Sequence, residues 1–224
     1  MVEHGVPALV FSSTAATYGE PEIVPITEDA PTRPTNTYGA TKLAVDMMIT
    51  GETVATGLSA VSLRYFNVAG AALGAGERHA VETHLIPNAL GAVAGTKEPL
   101  TVFGDDWPTL DGTPIRDYVH VLDLARAHVQ ALTAATPGEH LICNLGSGDG
   151  YSVKQVLSTI EQVTGKPVPH SVGPRRLGDP TRLVASAALA GQRLDWLPQL
   201  SLHDMISDAW EFQQTSGHRR ARPR

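Results

Sequence analysis

The chain has 224 residues, of which 42% are hydrophobic and 18% charged, enough to bury one core of ordinary size or one and part of a second. Seventeen Lys and Arg against 23 Asp and Glu give a net charge of −6, which argues against nucleic acid or an anionic membrane as partner; 5% aromatic residues offer no stacking platform for bases. One cysteine, Cys143, excludes an internal disulfide and a zinc site built on several thiolates. Among the nine histidines, His79 and His84 flank Glu82 without an HExxH spacing; they read as a polar loop, and no metal is expected. No apolar run reaches the roughly 18 residues of a membrane span, and the N-terminus lacks a basic leader. The expected setting is a soluble, reducing cytoplasm without membrane attachment.

PALVFSS (7–13) is a short apolar run bounded by Pro7 and hydroxyl residues, and predicts a strand buried on both faces. Residues 19–37 contain Pro21, Pro25, Pro31 and Pro34, cannot be helical, and predict an ordered surface loop or lid. From Tyr38 to Thr56 the spacing of Leu43, Met47, Ile49 and Val54 predicts a helix with one buried stripe. SAVSLRYFNV (59–68) then reads as a second strand. Strand, loop, helix and strand make a parallel crossover, so the expected class is α/β with a doubly wound sheet. Further on, the pattern predicts a helix over 85–93, a strand at LTVFG (100–104), a turn-rich loop at DDWPTLDGTP, a strand at RDYVHV and a helix over 123–135. HLICNLGSG (140–148) is another strand, Ser152 the N-cap of the helix VKQVLSTIEQVTG, and a last helix runs over 202–215. HRRARPR at the C-terminus reads as a frayed, solvated end.

Two glycine-rich stretches, GAALGAG (70–76) and GSGDG (146–150), follow strands, but their spacing is wrong for a dinucleotide fingerprint, and both are assigned to turn geometry. Chemistry is sought instead at Tyr38 and Lys42, a YxxxK pair whose i,i+4 spacing places both on one helix face. A free phenol titrates near ~10, and an adjacent ammonium favours the phenolate, so such a pair can remove a hydroxyl proton. Alone it reads as a surface pair. The order strand-end hydroxyl (Ser12, Ser13, Thr14), helix Tyr/Lys, strand-end Asn67 puts all three at the carboxyl edge of a parallel sheet, where open α/β folds bind ligands.

FSSTAATYG, YGATK, RYFNVAGA, VFGDDWPTLDGTPIRDYVHV, CNLGSG and PRRLGDP resemble the UDP-glucose 4-epimerase family, extended short-chain dehydrogenase/reductases, from the first strand to about Trp210. The resemblance implies the C-terminal part of a Rossmann-like doubly wound sheet, joined to a smaller α/β substrate-binding domain. It implies NAD as cofactor and UDP-glucose and UDP-galactose as substrates, in galactose metabolism. Tyr38 takes the proton of the sugar 4-hydroxyl with Lys42 beside it, Thr14 shuttles or orients that proton, the 4-keto sugar rotates, and hydride returns to the other face. Cofactor contacts are implied for Ser12, Ser13, Tyr38, Lys42, Tyr65 and Phe66. Substrate contacts are implied for Thr14, Asn67, His84, Leu85, Phe103 (against uracil), Arg116 and Arg176 (on the diphosphate), Asp179 (on ribose hydroxyls) and Leu183, which limits sugar size. His84 and Leu85 stand where the family usually has Asn-Leu. From the residues alone, Arg116 is equally a salt-bridge partner of Asp117 or Asp123, and Arg176 a loop charge near Asp179.

By family comparison the chain starts about a hundred residues late, and it is expected to be N-terminally truncated, with an apolar strand edge and weak NAD binding. The expected division is 1–68 for the remaining cofactor half, with strand 140–146 a candidate for the same sheet, 69–215 for the UDP-sugar half and 216–224 for a basic tail. The intact family is homodimeric through the helix bearing Tyr38, an interface halved here. Alternatives are a non-catalytic UDP-sugar-binding fragment, and a nucleotide-sugar dehydratase or decarboxylase, against which Ala15, Ala16 and Thr17 follow Thr14 without an acid. A serine hydrolase is disfavoured because Ser12 and Ser13 lack a GxSxG elbow.

Overall fold

The computed structural model describes residues 1–176 and 178–220, and the side chains of all of these but 216–220. In chain order the elements are β1 (Ala8–Thr14), α1 (Thr37–Thr56), β2 (Ser59–Tyr65), β3 (Asn67–Ala69), α2 (Leu85–Val93), β4 (Leu100–Phe103), β5 (Ile115–Arg116), β6 (Tyr118–His120), α3 (Val121–Ala134), β7 (His140–Leu145), β8 (Tyr151–Ser152), α4 (Val153–Thr164), β9 (His170–Gly173), β10 (Arg182–Leu183), α5 (Ala188–Leu194) and α6 (Leu202–Arg220).

The mixed α/β class holds. The principal sheet runs β1-β2-β7, all parallel, with Thr14 opposite Tyr65 and Tyr65 opposite Leu145 at its carboxyl edge. β2 is buried along nearly its whole length, as a central parallel strand should be. β1 is only half-buried up to Ser12, because among the described residues its one neighbour is β2; the expectation of two buried faces is corrected accordingly. A first core packs this sheet against α3 and α5, around Val61, Leu63, Leu145, Ala127, Ala190 and Trp196. A second core joins α2, α4 and α6 with β4 and β6, around Leu90, Ile160, Met205 and Ile206. Thus α3, β7 and α5 return to the sheet from well beyond residue 69.

Three sequence expectations change. SAVSLRYFNV divides into β2 and β3, since Asn67 N donates to Asp117 O and β3 pairs with β6 instead. The buried stripe of α1 is Gly39, Asp46, Ile49 and Thr53, while Met47, Met48 and Val54 are exposed. Of the two expected forms of segment 19–37, ordered loop or lid, the structure has the ordered loop, with fully buried Ile26 bridging Ala185 through Ile26 N to Val184 O and Ser186 N to Ile26 O. At the C-terminus α6 continues through Arg220, as no proline interrupts the backbone before Pro223. Residues 221–224 of the basic stretch lie outside the described residues. Ser152 is the N-cap of α4 as expected and forms a full capping box with Gln155, and at the start of α1 Asn36 accepts from Gly39 N.

His140 on β7 links the sheet to α1. Its Nε2 meets Ser62 Oγ and its Nδ1 meets Thr50 Oγ1, each at 2.8 Å. Burial holds this imidazole below its ordinary pKa, with Asp46 opposing and Arg64 reinforcing the shift. A depressed histidine contributes stability that is present above the unfolded value and lost as pH falls from about 6.5 through the lower folded value. Urea midpoints measured at pH 7.5 and 5.5 should therefore fall less in His140→Gln than in the parent chain; equal falls would remove His140 as a source of acid sensitivity.

Candidate active site

The first turn of α1 is held against the carboxyl end of β1 by a close backbone approach. A Cβ on Gly39 would stand 2.4 Å from Ala16 O, so only glycine lets the helix start this near the turn after Thr14. Tyr38, beside it, is 55% exposed at the sheet edge. One turn on, Lys42 Nζ donates to Ser12 O at 2.9 Å and lies 5.8 Å from the Tyr38 ring centroid and 4.9 Å from that of Phe11. Thr14 Oγ1 accepts from Ala16 N at 3.2 Å, and Thr14 O accepts from buried Thr17 Oγ1 at 2.9 Å. Ser12 Oγ meets His128 Nε2 at 2.9 Å, whereas the Ser13 hydroxyl is fully buried and donates to Asp46 Oδ2. Tyr65 and Phe66 are half-buried at the end of β2.

Beneath this edge lies a polar network that sequence reasoning missed. Asp46 Oδ2 accepts from Ser13 Oγ (3.0 Å), Arg64 Nε (3.1 Å) and Arg64 Nη2 (2.9 Å). Arg64 Nη1 donates to Tyr18 OH, which donates to Asn144 Oδ1; Asn144 Nδ2 donates to Ile26 O, and Glu28 Oε1 accepts from Asn144 N. Burial alone would lower the Arg64 pKa, but Tyr18 and Asp46 outweigh it and hold the guanidinium above its ordinary value. The network ties α1, both neighbouring strands and segment 19–37 into one unit. The available signal was an ionisable residue two turns after Tyr38, at i+8, facing an arginine inside an apolar strand.

A cleft of about 1280 Å³ opens on the side of β3, large enough for a nucleotide sugar. Asn67, His84, Leu85, Phe103, Arg116, Arg176 and Asp179 all line it. Arg116 Nη1 donates to Ile115 O and Pro180 O, and Nη2 lies 4.0 Å from Asp179 Oδ2. Burial lowers its pKa, with Asp179 and Tyr118 opposing the shift. The two competing partners are engaged elsewhere. Asp117 accepts from Ser147 N, Ser147 Oγ, Gly148 N and Ala185 N, and Asp123 pairs with Arg126 and accepts from Gln199 N and Leu200 N. The glycine-rich loop 146–150 therefore wraps the chain's own carboxylate. Arg176 stacks on Phe103, its guanidinium carbon 3.7 Å from the ring centroid. Asn67 Nδ2 donates to Asp117 O. Tyr38, Lys42, Thr14 and Leu183 lie outside the cleft lining; Leu183 pairs in register with Arg116. The link between edge and cleft is Tyr65–Phe66–Asn67, opposite Thr14 at one end and lining the cleft at the other.

Residues 1–146 match the family model described as "NAD dependent epimerase/dehydratase family". The chain belongs to that family. It is 59% identical over 220 residues to a UDP-glucose 4-epimerase of Corynebacterium glutamicum, covering 98% of this chain and 67% of that protein. It is 57% identical over 211 residues to one from Streptomyces lividans, covering 94% and 64%. The structure resembles the UDP-glucose 4-epimerase of Bifidobacterium longum in complex with NAD+ and UDP, with TM-score 0.89 and 37% identity over 96% of this chain and 66% of that one. The chain thus spans about two thirds of the length of its relatives. This epimerase/dehydratase family member also has, among the described residues, no helix long and apolar enough to cross a membrane.

Proposed function

We propose that the chain serves NAD-dependent 4-epimerisation of UDP-glucose and UDP-galactose, and so galactose metabolism in the cytoplasm. The observation that carries this reading is the large cleft lined by Arg116, Arg176 and Phe103 that begins two residues beyond the strand end opposite Thr14. Guanidinium groups match diphosphate oxygens, an aromatic ring matches uracil, and Asp179 can accept from ribose hydroxyls. The half next to the principal sheet would hold the cofactor and the cleft half the UDP sugar. The exposed apolar side chains Met47, Met48 and Val54 on α1 support a homodimer through that helix.

Tyr38 and Lys42 fit a nicotinamide ribose and a sugar hydroxyl, being an exposed phenol and an ammonium side by side at the sheet edge. The chemistry that a bound NAD supplies is reversible hydride acceptance at the sugar carbon. Tyr38 removes and returns the 4-hydroxyl proton, Lys42 stabilises the phenolate, and Thr14, already accepting from Ala16 N, retains its own O–H to orient the substrate oxygen. Arg116 and Arg176 hold the diphosphate, which leaves the sugar free to present either face. Ala15 and Ala16 offer no acid for dehydration.

Calorimetry with UDP, together with a coupled assay of UDP-galactose conversion in the presence of NAD, tests the reading. Binding with turnover supports it. Binding without turnover selects a UDP-sugar-binding fragment, a reading favoured by the commitment of loop 146–150 to Asp117. Losing a charge-assisted contact costs about 1.5–3 kcal/mol, so Arg116→Ala should weaken UDP roughly ten- to hundred-fold; unchanged affinity would remove Arg116 from the diphosphate site.

A further inference from the structure

The loop before α2, which the epimerase reading uses only through His84, gathers further acidic and imidazole side chains around that residue. Glu77 Oε1 stands 2.9 Å from His79 Nε2 and 2.9 Å from His84 Nδ1, and the three ligand atoms lie within 4.8 Å of one another. His84 Nδ1 is also 2.7 Å from Glu82 Oε1, which accepts in addition from Thr83 N and His84 N. Two carboxylates therefore converge on one imidazole nitrogen, whose single N–H cannot serve both well. Arg78, between the two carboxylate-bearing positions, has its guanidinium over the Phe212 ring at 4.9 Å. His84 is the N-cap of α2 yet makes no side-chain capping bond, so its ring is not committed to the helix.

We infer that Glu77, His79 and His84 form a site for a divalent transition cation of the zinc type on the rim of the cleft. Two imidazoles and a carboxylate are a zinc donor set, with bonds of about 2.0–2.2 Å, and a tetrahedral centre spaces its ligand atoms roughly 3.3 Å apart. The observed 2.9 Å separations need widen by only a few tenths of an ångström. Nitrogen ligands favour zinc, nickel or copper over magnesium. The spacing His79–Glu82–His84 reads as a polar loop; folding adds Glu77 and brings both rings to it.

Titration of the metal-free chain with zinc chloride, followed by calorimetry at pH 7.5, tests the inference without any nucleotide, so its outcome is separate from that of the epimerase reading. One zinc per chain is expected, with His79→Ala and His84→Ala each weakening binding roughly tenfold or more, and His203→Ala leaving it unchanged. Cobalt in place of zinc should give the visible absorption of a four-coordinate centre, lost in the same two variants. Millimolar magnesium should not compete. A zinc dissociation constant above about 100 μM, or equal affinity in the parent, His79→Ala and His84→Ala chains, overturns the site.

Discussion

Tyr38→Phe should lower turnover of UDP-galactose by about 10²- to 10⁴-fold, the range for losing a positioned acid or base, while leaving UDP affinity unchanged. The separation follows from the geometry. Tyr38 stands at the sheet edge on α1, outside the cleft lining, whereas the groups proposed to grip the nucleotide are Arg116, Arg176, Phe103 and Asp179. A phenyl ring keeps the packing beside Gly39 and the face presented to the Lys42 ammonium, so only the hydroxyl is removed. Coupled-assay kcat and calorimetric UDP affinity, measured on the same preparation, give the two arms. Retained turnover would show that another group moves the 4-hydroxyl proton. A parallel loss of UDP affinity would show that edge and cleft are one contact surface.

What the sequence revealed and what it hid divide along physical lines. The strand read over 59–68 and the helix from Tyr38 declared themselves because their signals are local: a continuous apolar run in the one and apolar residues at helical spacing in the other. The convergence of Asn67, Phe103, Arg116, Arg176 and Asp179 on one cleft came from the family resemblance and not from periodicity, since these residues lie on four separate segments. The contents of the interface between α1 and the sheet were hidden. An apolar stripe was expected there, but the face is carried by Gly39, Asp46, Ile49 and Thr53, and a hydropathy pattern scores an ion pair as surface. Nor could spacing show that Asp117, next to Arg116, turns inward to satisfy loop 146–150, or that Arg176 rests on the ring assigned to uracil.

Asp46→Ala should destabilise the fold by about 3–5 kcal/mol, the cost of stranding one member of a buried ion pair. Asp46 is 2% exposed and Arg64 3%, and the carboxylate receives three of the donors that hold α1 on β1 and β2. Removing it leaves the Arg64 guanidinium without its carboxylate, facing Tyr18 OH, and leaves Ser13 Oγ without its acceptor. Desolvation makes the pair costly to assemble, so its value lies in geometry more than in net stability. The double replacement Asp46→Leu with Arg64→Met, which removes both charges, should therefore lose less than Asp46→Ala alone. Lys42 and Asp46 grip consecutive residues of β1, Ser12 by its carbonyl and Ser13 by its hydroxyl, so releasing Asp46 loosens the helix that aims Tyr38. Urea denaturation of the single and double variants measures the first effect, and kcat of the still-folded double variant measures the second. If Asp46→Ala costs less than about 1 kcal/mol, as an exposed pair would, the network does not hold α1 in place, and the placement of Tyr38 must come from Gly39 and Lys42 alone.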